Sequence, residues 1–269
     1  MRPFLVFDTA TDHLALAIGD LDAPGAVLAA DDFAAPRAAN TVVLGAIERL
    51  LASAGIGVRS LTAVACGRGP GSFTGVRIGV ATAKGLAHGL GVPLVGASTL
   101  DAVAIRANAE GLVGVLGDAM RGEVYPALYR SHAGHVARLT PDAVAGPVEV
   151  AAAWADLGEP VALTGNGLTK HEAAFGAYPN AAMRAVAADL RVPDGASLVA
   201  AAWMAEGPLS VPAIAALQAD AAREAADPAL LLPVYTRLSD AEEAERVRLG
   251  GGALVPGSGV SGPRPEGTR

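Results

Sequence analysis

The residues best suited to chemistry lie in one glycine-rich segment, Gly67-Arg68-Gly69-Pro70-Gly71-Ser72-Phe73-Thr74-Gly75, which follows the apolar stretch 61–66. A glycine-rich loop that opens a helix exposes backbone N–H groups at the positive end of the helix dipole, and this favours an anion. The same glycines also permit a tight turn between a strand and a helix. The segment therefore predicts an anion site or a packing device.

Spacing favours the packing device. A P-loop reads G-x-x-x-x-G-K-[ST], but the first lysine after the loop is Lys84. A dinucleotide-binding fingerprint reads G-x-G-x-x-G, whereas the glycines here are spaced G-x-G-x-x-x-G. In the helix predicted over residues 75–89, small residues at every fourth position would let another helix lie close. They are Gly75, Gly79, Ala83 and Ala87.

Metal-dependent and nucleophilic chemistry find little support in the sequence. The five histidines are scattered, without an H-E-x-x-H or H-x-x-x-H pair. Ser72 lacks the G-x-S-x-G setting of a hydrolase nucleophile, and the single cysteine, Cys66, ends an apolar stretch. We therefore expect no metal site and no catalytic residue.

Hydrophobic patterning predicts the elements that position the glycine-rich segment. Residues 4–7 and 14–18 are typical of strands joined by an acidic turn at Asp8, and residues 26–30 of a third strand. Residues 112–118 and 124–129 repeat the pattern of strand, acidic turn and strand. The repeat predicts an α/β protein made of two copies of one RNase-H-like unit.

A first helix is predicted over residues 40–54, where apolar residues recur at three- and four-residue spacing. Its apolar face consists of Val43, Leu44, Ile47, Leu50 and Leu51. Together with the small-residue face of residues 75–89, this face is a candidate surface for contact with another subunit.

Composition limits the function classes. The chain has 269 residues and a net charge of −7, and an acidic chain is a poor primary binder of nucleic acid. A single cysteine excludes an intramolecular disulfide and fits a reducing cytosol. No apolar stretch reaches the roughly 18 residues of a membrane span, so a cytoplasmic protein is expected.

At residues 67–79, GRGPGSFTGVRIG, the sequence closely resembles the TsaB/YeaZ family. Residues 7–11 (FDTAT), 96–100 (GASTL), 122–125 (GEVY) and 233–237 (PVYTR) agree with it. The resemblance implies the two-lobed fold of actin, Hsp70 and sugar kinases (the ASKHA class), built from duplicated RNase-H-like units.

The domain organisation expected from this resemblance has three parts. A first lobe covers residues 1–105. A smaller, more irregular second lobe covers residues 106–238, with the option that its last helices return to the first lobe. The last part, residues 239–269, is expected to be mostly a disordered tail. Residues 240–246 are typical of a charged helical end, and residues 250–269 hold Gly, Pro and Ser with almost no apolar anchors.

The resemblance implies a scaffold rather than an enzyme. A TsaB-like subunit pairs directly with the catalytic paralogue TsaD and works with the ATPase TsaE. Together they transfer a threonylcarbamoyl group from its adenylate to the tRNA adenosine next to the anticodon. The expected partners are therefore TsaD, TsaE and, through the complex, tRNA, with a homodimer when the chain is alone and no membrane.

The resemblance also suggests functional residues. The two predicted helices would form the partner interface, and Asp118, Arg121 and Glu123 are candidates for contact with a partner or an interface nucleotide. The family's motif loop corresponds to Asp8, Thr9, Gly67, Arg68, Gly69, Pro70, Gly71, Ser72, Phe73, Thr74 and Arg77. No cofactor of its own is expected, and ATP or ADP at an interface of the complex is left open.

Two departures from the family pattern bear on function. The catalytic paralogue carries an H-x-x-x-H metal site on its first helix, where this chain reads Ala38-Ala39-Asn40-Thr41. Met120 stands where the family commonly has arginine. The alternative function is an ATP-dependent transferase or sugar kinase of the same fold. The turn at Asp8, which has no glycine to wrap a phosphate, argues against it.

Overall fold

Two five-stranded sheets with the same internal arrangement form the core. The computed structural model describes residues 1–176, 183–205, 211–216 and 231–234. The first sheet consists of β1 (Pro3–Asp8), β2 (His13–Asp20), β3 (Ala23–Ala34), β4 (Ala63–Gly67) and β5 (Leu94–Ala97). Their order is β3-β2-β1-β4-β5. β2 is antiparallel to β1 and β3, whereas β4 is parallel to β1 and β5 to β4.

The second sheet repeats this arrangement strand for strand. It consists of β6 (Gly111–Asp118), β7 (Val124–His132), β8 (His135–Arg138), β9 (Val161–Thr164) and β10 (Met183–Ala185). Their order is β8-β7-β6-β9-β10, again with an antiparallel hairpin on one side of the central strand and parallel strands on the other. The predicted α/β fold of duplicated RNase-H-like units is confirmed.

Helices cover the sheets. Those in the described residues are α1 (Ala39–Ser53), α2 (Phe73–Leu90), α3 (Thr99–Arg106), α4 (Pro147–Ala155), α5 (Asn166–Gly176), α6 (Gly195–Met204) and α7 (Val211–Ala216). α1 and α2 pack on one face of the first sheet, and α6 and α7 on the other. α4 and α5 pack on the second sheet. The helices predicted over residues 40–54 and 75–89 are confirmed as α1 and α2.

The alternation of side chains along β1 explains why the first sheet needs helices on both faces. Leu5 and Phe7 lie in the hydrophobic cluster under α1 and α2, whereas Phe4 and Val6 lie in the cluster under α6 and α7. Successive side chains of a strand point to opposite faces of the sheet. Because both sets are apolar here, the strand is stable only when both faces are covered.

Helix α3 packs against both sheets. Its Leu100 and Val103 join a cluster of the second sheet, while its Ala102 joins a cluster of the first. In addition, the hydroxyl of Tyr129 on β7 donates to Asp101 Oδ1 on α3 at 2.7 Å. α3 therefore ties the two duplicated units together through apolar packing and a partly buried hydrogen bond.

The last described helices pack on the first sheet although they follow the second sheet in sequence. Leu198 of α6 and Val211 of α7 share a cluster with Phe4 and Val6 of β1. The boundaries given above for the two lobes stay a prediction. The expected tail, residues 239–269, and residues 235–237 of the closing motif lie outside the described residues. Within the described part of the chain, no helix is long and apolar enough to cross a membrane.

We expect Tyr129→Phe to lower the free energy of unfolding by about 1–2 kcal/mol, because a buried hydroxyl that donates to a carboxylate is lost. Urea denaturation of Tyr129→Phe, Asp101→Asn and the double variant measures the coupling between the two side chains. Strictly additive losses would show that the bond contributes nothing.

Candidate functional site

The turn between β1 and β2 occupies the space left by two glycines of the glycine-rich segment. A Cβ atom at Gly67 would overlap the Asp8 carboxylate, and one at Gly75 would overlap the carbonyl oxygen of Thr9. The Thr9 hydroxyl also donates to Gly75 O at 2.7 Å. The first turn of α2 is therefore bonded directly to the end of β1.

The contact between the β1–β2 turn and the glycines continues before and after Gly75 in the sequence. A Cβ atom at Gly71 would lie 2.5 Å from Ala10 O, and one at Gly79 would lie 2.5 Å from Thr9 Oγ1. Ser72 N donates to Ala10 O at 2.7 Å. We call this unit the glycine socket. It comprises residues 8–10 of the turn and the glycines packed on them, Gly67, Gly71, Gly75 and Gly79.

Asp8 is fully buried in the glycine socket. The Thr99 hydroxyl donates to its Oδ2 at 2.6 Å, and Ala10 N donates to its Oδ1 at 2.6 Å. Burial raises the pKa of the Asp8 carboxyl above its ordinary value, and the two hydrogen bonds oppose this shift. Neither oxygen reaches the surface, so the Asp8 side chain bonds within the interior of the fold. In this structure it is not accessible to a nucleotide or a metal ion.

Thr99 joins the loop to the start of α3. Gly69 N donates to Thr99 Oγ1 at 3.2 Å, and Thr99 N donates to Gly69 O at 3.1 Å. Next to it, Arg68 N donates to Ala97 O at 3.0 Å, and Val234 N donates to Arg68 O at 2.8 Å. Sequence reasoning missed Thr99 and Val234 as site residues. Their places in the GASTL and PVYTR motifs were the signals that could have indicated them.

The rest of the motif loop leads into α2. Ser72 caps this helix, since its hydroxyl accepts from Gly75 N at 3.3 Å. Pro70 is buried and Thr74 is exposed. The Arg77 guanidinium lies 3.8 Å from the centroid of the Phe73 ring, which holds the arginine over the first turn of the helix. The loop thus packs inward through its glycines and is exposed at the start of α2.

The second unit repeats the close approach at the equivalent place. A Cβ atom at Gly167, in the first turn of α5, would lie 2.8 Å from both Leu116 O and Gly117 O. One at Gly165 would overlap the backbone of Leu116. In both units, therefore, the helix after the fourth strand begins against the backbone at the end of the first strand.

Asp118 is the counterpart of Asp8 but lies near the surface. Its carboxylate pairs with Lys170 of α5, whose side chain is 54% exposed. Asn166 Oδ1 accepts from Asp118 N at 3.0 Å. The two units therefore differ in how they use the acidic residue at the end of their first strand.

Arg121 and Glu123 lie with Asp118 in the turn between β6 and β7. Asp118 Oδ1 accepts from Met120 N at 2.9 Å, and Glu123 N donates to Met120 O at 3.0 Å. Met120 and Arg121 adopt left-handed φ angles of 62° and 51°, and both are exposed. The structure brings the three candidate residues together. Their contact with a partner or a nucleotide stays a prediction.

The partner interface predicted on α1 and α2 requires a correction. Of its nine residues only Leu44 is exposed, with 56% of its surface accessible. The other eight are buried within the chain itself: Val43, Ile47, Leu50, Leu51, Gly75, Gly79, Ala83 and Ala87. Periodicity identified the buried faces of these helices, but their own sheet and the glycine socket cover them. Pairing of this chain with another subunit stays a prediction, and on these two helices the outer faces are the ones accessible to a partner.

The outer faces of α1 and α2 carry small residues of their own. Ala81, Gly85 and Gly89 are exposed at every fourth position of α2. Apart from the adjacent residues and the backbone of the helix itself, no heavy atom of the described residues lies within 4 Å of a Cβ atom built at Gly85 or Gly89. Leu44 is exposed on the neighbouring helix. This outer surface is the part of the two helices that another helix could approach closely.

Metal binding and thiol chemistry each require particular side chains, and the described residues can be compared with these requirements. In residues 1–176, 183–205, 211–216 and 231–234, no group of three or more His, Cys, Asp or Glu side chains could hold a metal ion. Cys66 is buried in the cluster under α2, and burial raises the pKa of its thiol. A neutral, buried thiol is a small core residue rather than a nucleophile.

The duplicated sheets define a two-lobed α/β protein of the actin-like class. The structure of YeaZ from Pseudomonas aeruginosa matches with a TM-score of 0.68 and 29% sequence identity, covering 87% of this chain and 100% of that chain. A second Pseudomonas aeruginosa structure, described as similar to peptidase YEAZ, has the same TM-score at 28% identity and covers 88% of this chain and 100% of that one.

Sequence comparison gives the family. The model described as "TsaD: tRNA N6-adenosine threonylcarbamoyltransferase" matches residues 34–244, well over half of the chain. The Escherichia coli protein named tRNA threonylcarbamoyladenosine biosynthesis protein TsaB is 40% identical over 129 residues, 47% of this chain and 54% of that protein. An uncharacterized Mycobacterium leprae protein is 42% identical over 126 residues, 47% of this chain and 32% of that protein. The chain thus spans about half or less of these relatives. It belongs to the family of this model and, within it, to the TsaB/YeaZ group.

We expect Gly79→Ala to lower the free energy of unfolding by about 2–3 kcal/mol, because the added methyl group would be forced against Thr9 Oγ1. The matched control is Gly85→Ala in the same helix. Its methyl group meets open space, and alanine raises helix stability there by up to about 1 kcal/mol. Urea denaturation of both variants tests the glycine socket. Equal stabilities would contradict it.

A second prediction concerns pH. The pKa of Asp8 is raised in the folded chain, so its contribution to stability is fully present below the unfolded pKa and is lost as pH rises through the folded pKa. Asp8→Asn cannot titrate. The variant should therefore gain on the wild type as pH rises from about 4, by at most about 1.4 kcal/mol per pH unit. Urea denaturation across this range measures the difference. A difference that stays constant with pH would contradict a raised pKa of the buried Asp8.

Proposed function

We propose that this chain is the non-catalytic scaffold subunit of the complex that transfers threonylcarbamoyl from its adenylate to the tRNA adenosine next to the anticodon. The family match supports this reaction. The model is named for the threonylcarbamoyltransferase, and the Escherichia coli relative is named for threonylcarbamoyladenosine biosynthesis. In this proposal a TsaD-type paralogue supplies the catalytic site, and this chain supplies a folded surface that the paralogue requires.

The glycine socket is the observation that carries the non-catalytic role. A loop that wraps a phosphate needs open space beside its glycines, so that backbone N–H groups can reach the ligand. Here the atoms of residues 8–10 fill that space at Gly67, Gly71, Gly75 and Gly79. Both oxygens of the Asp8 carboxylate already accept hydrogen bonds, one from the Thr99 hydroxyl and one from Ala10 N. The same features argue against the alternative function, an ATP-dependent transferase or sugar kinase.

The partners follow from the same proposal. The outer faces of α1 and α2 pair with the TsaD-type paralogue, and with a second copy of this chain when the paralogue is missing. The ATPase TsaE acts on the assembled complex. With a net charge of −7, this chain leaves most phosphate contacts of the tRNA to the other subunits. Any ATP or ADP in the complex lies at an interface, with Asp118, Arg121 and Glu123 as candidate contacts.

Reconstitution tests this function. Transfer of threonylcarbamoyl to tRNA is measured with the paralogue, TsaE and this chain, and again with each omitted in turn. We expect the product to fall at least tenfold when this chain is omitted, and this chain alone to form no product and to hydrolyse no ATP. Product formation that is unchanged by the omission would contradict the scaffold role. Steady ATP turnover by the isolated chain that is lost in Asp8→Ala would favour the kinase alternative.

A further inference from the structure

A strongly basic segment lies within this acidic chain. Residues 33–100, which contain α1, α2, β4 and β5, hold six Arg and Lys residues but only one acidic residue, a net charge of +5. The rest of the chain holds 14 Lys and Arg residues and 26 Asp and Glu residues, a net charge of −12. Such an asymmetry indicates a surface that meets a partner of opposite charge.

Most of this charge lies on or beside the two outer helices. Arg37, Arg49, Arg59 and Arg77 are exposed, and Lys84 is half-buried. We call these five residues the basic layer. The sixth basic residue, Arg68, lies in the glycine-rich loop instead. Glu48 is the single acidic residue in the sequences of α1 and α2. With Glu48, the basic layer therefore carries a net charge of +4 on or beside the two helices that cover the first sheet.

Arg49 and Arg77 contact neighbouring side chains. Arg49 lies 3.8 Å from Asp31 of β3, in a pair whose side chains are 61% and 39% exposed. Exposed pairs of this kind are weak. The Arg77 guanidinium stacks on the Phe73 ring at 3.8 Å.

Arg77 begins a line of otherwise small residues on the exposed side of α2. Arg77, Ala81, Gly85 and Gly89 follow one another at four-residue intervals, so they form a line along α2. Small residues let a helix approach closely, but they offer neither phosphate contacts nor aromatic platforms on which bases stack. The combination of a small-residue strip with flanking cations favours a protein helix that carries acidic residues at its edges.

We propose that the basic layer selects an acidic helical face on the TsaD-type paralogue and disfavours a second copy of this chain. The proposal takes its partner from the proposed function. In a symmetric dimer the same patch meets itself, so the basic layers of two copies repel each other. Against an acidic face the same charges attract and speed association. One set of side chains thus provides attraction to the correct partner and repulsion of the wrong one.

Opposite responses to salt are the signature of this arrangement. Sedimentation velocity of the full chain, alone and mixed with the paralogue, is run at about 50 mM and about 300 mM NaCl, where screening differs strongly. We expect the Kd of the heterodimer to rise about tenfold with salt. The Kd of the homodimer should fall over the same range, because salt screens the repulsion. Responses of the same sign would overturn the proposal.

Charge reversal at single positions tests whether the basic layer is responsible for these responses to salt. Arg77→Glu and, independently, Arg37→Glu should each weaken the heterodimer about tenfold at low salt and strengthen the homodimer. Arg184→Glu makes the same change in net charge at an exposed position of β10 in the second sheet and serves as the matched control. An equal effect of Arg184→Glu would show that net charge alone is responsible and would overturn the proposal.

Two further measurements distinguish a failure of this charge-selection proposal from a failure of the proposed function. If the wild-type chain does not bind the paralogue at either salt concentration, the proposed function fails, while the salt response of the homodimer still tests the repulsion. Filter binding of tRNA to the isolated chain is the second measurement. If Arg77→Glu and Arg37→Glu weaken tRNA binding about tenfold and Arg184→Glu does not, the basic layer is a nucleic-acid surface and the proposal is wrong.

Discussion

The close approach between the β1–β2 turn and helix α2 sets the arrangement of the first unit. The helix can start at the end of β4 only if its first turns lie on the backbone of Thr9 and Ala10, and at that distance only glycine fits. Because the side of α2 that carries these glycines lies against the turn, the opposite side of the helix must face outward. The position of Ala81 and Gly85 at the surface is therefore a consequence of the glycines at 75 and 79.

The second unit has the same close contact between helix and strand, but its acidic residue has different neighbours. Gly167 meets the end of β6 as Gly75 meets the end of β1. Asp118, however, is paired with Lys170 at the surface, whereas Asp8 is enclosed by Thr99 and Ala10. Duplication has preserved the backbone contact in both units. The acidic side chain is enclosed in one unit and forms an ion pair with an exposed lysine in the other.

Much of the fold could be predicted from the sequence because it depends on local periodicity. The strands at residues 4–7 and 112–117 and the helices α1 and α2 all follow from the spacing of apolar residues. β3 was expected only over residues 26–30 but extends over Ala23–Ala34. Asp31 and Asp32 look like loop residues in sequence. Asp32 is accommodated in the strand because Gly195 N, far away in the chain, donates to its Oδ1 at 2.8 Å.

The exposed faces of α1 and α2 and the contacts of the glycine socket were harder to predict, because they depend on residues that are distant in the sequence. An amphipathic pattern shows that Ile47 and Ala83 are buried, but it does not say which element buries them. The bond between Thr99 and Asp8 joins residues 91 positions apart, so neither residue alone suggests it. The glycine-rich segment does pack closely, as the spacing of its glycines indicated, but it packs against the β1–β2 turn and not against another helix.

Helix α3 has a consequence for how this protein meets other molecules. Because Leu100 and Val103 pack on one sheet and Ala102 on the other, a rotation of one sheet against the other would shear a packed face of α3. Interiors packed in this way resist gradual deformation, so α3 couples the two sheets to each other. Under the proposed function, a partner would meet a surface whose shape exists before the encounter, and association would lose little conformational entropy. Such coupling favours docking of preformed surfaces over closure around a ligand.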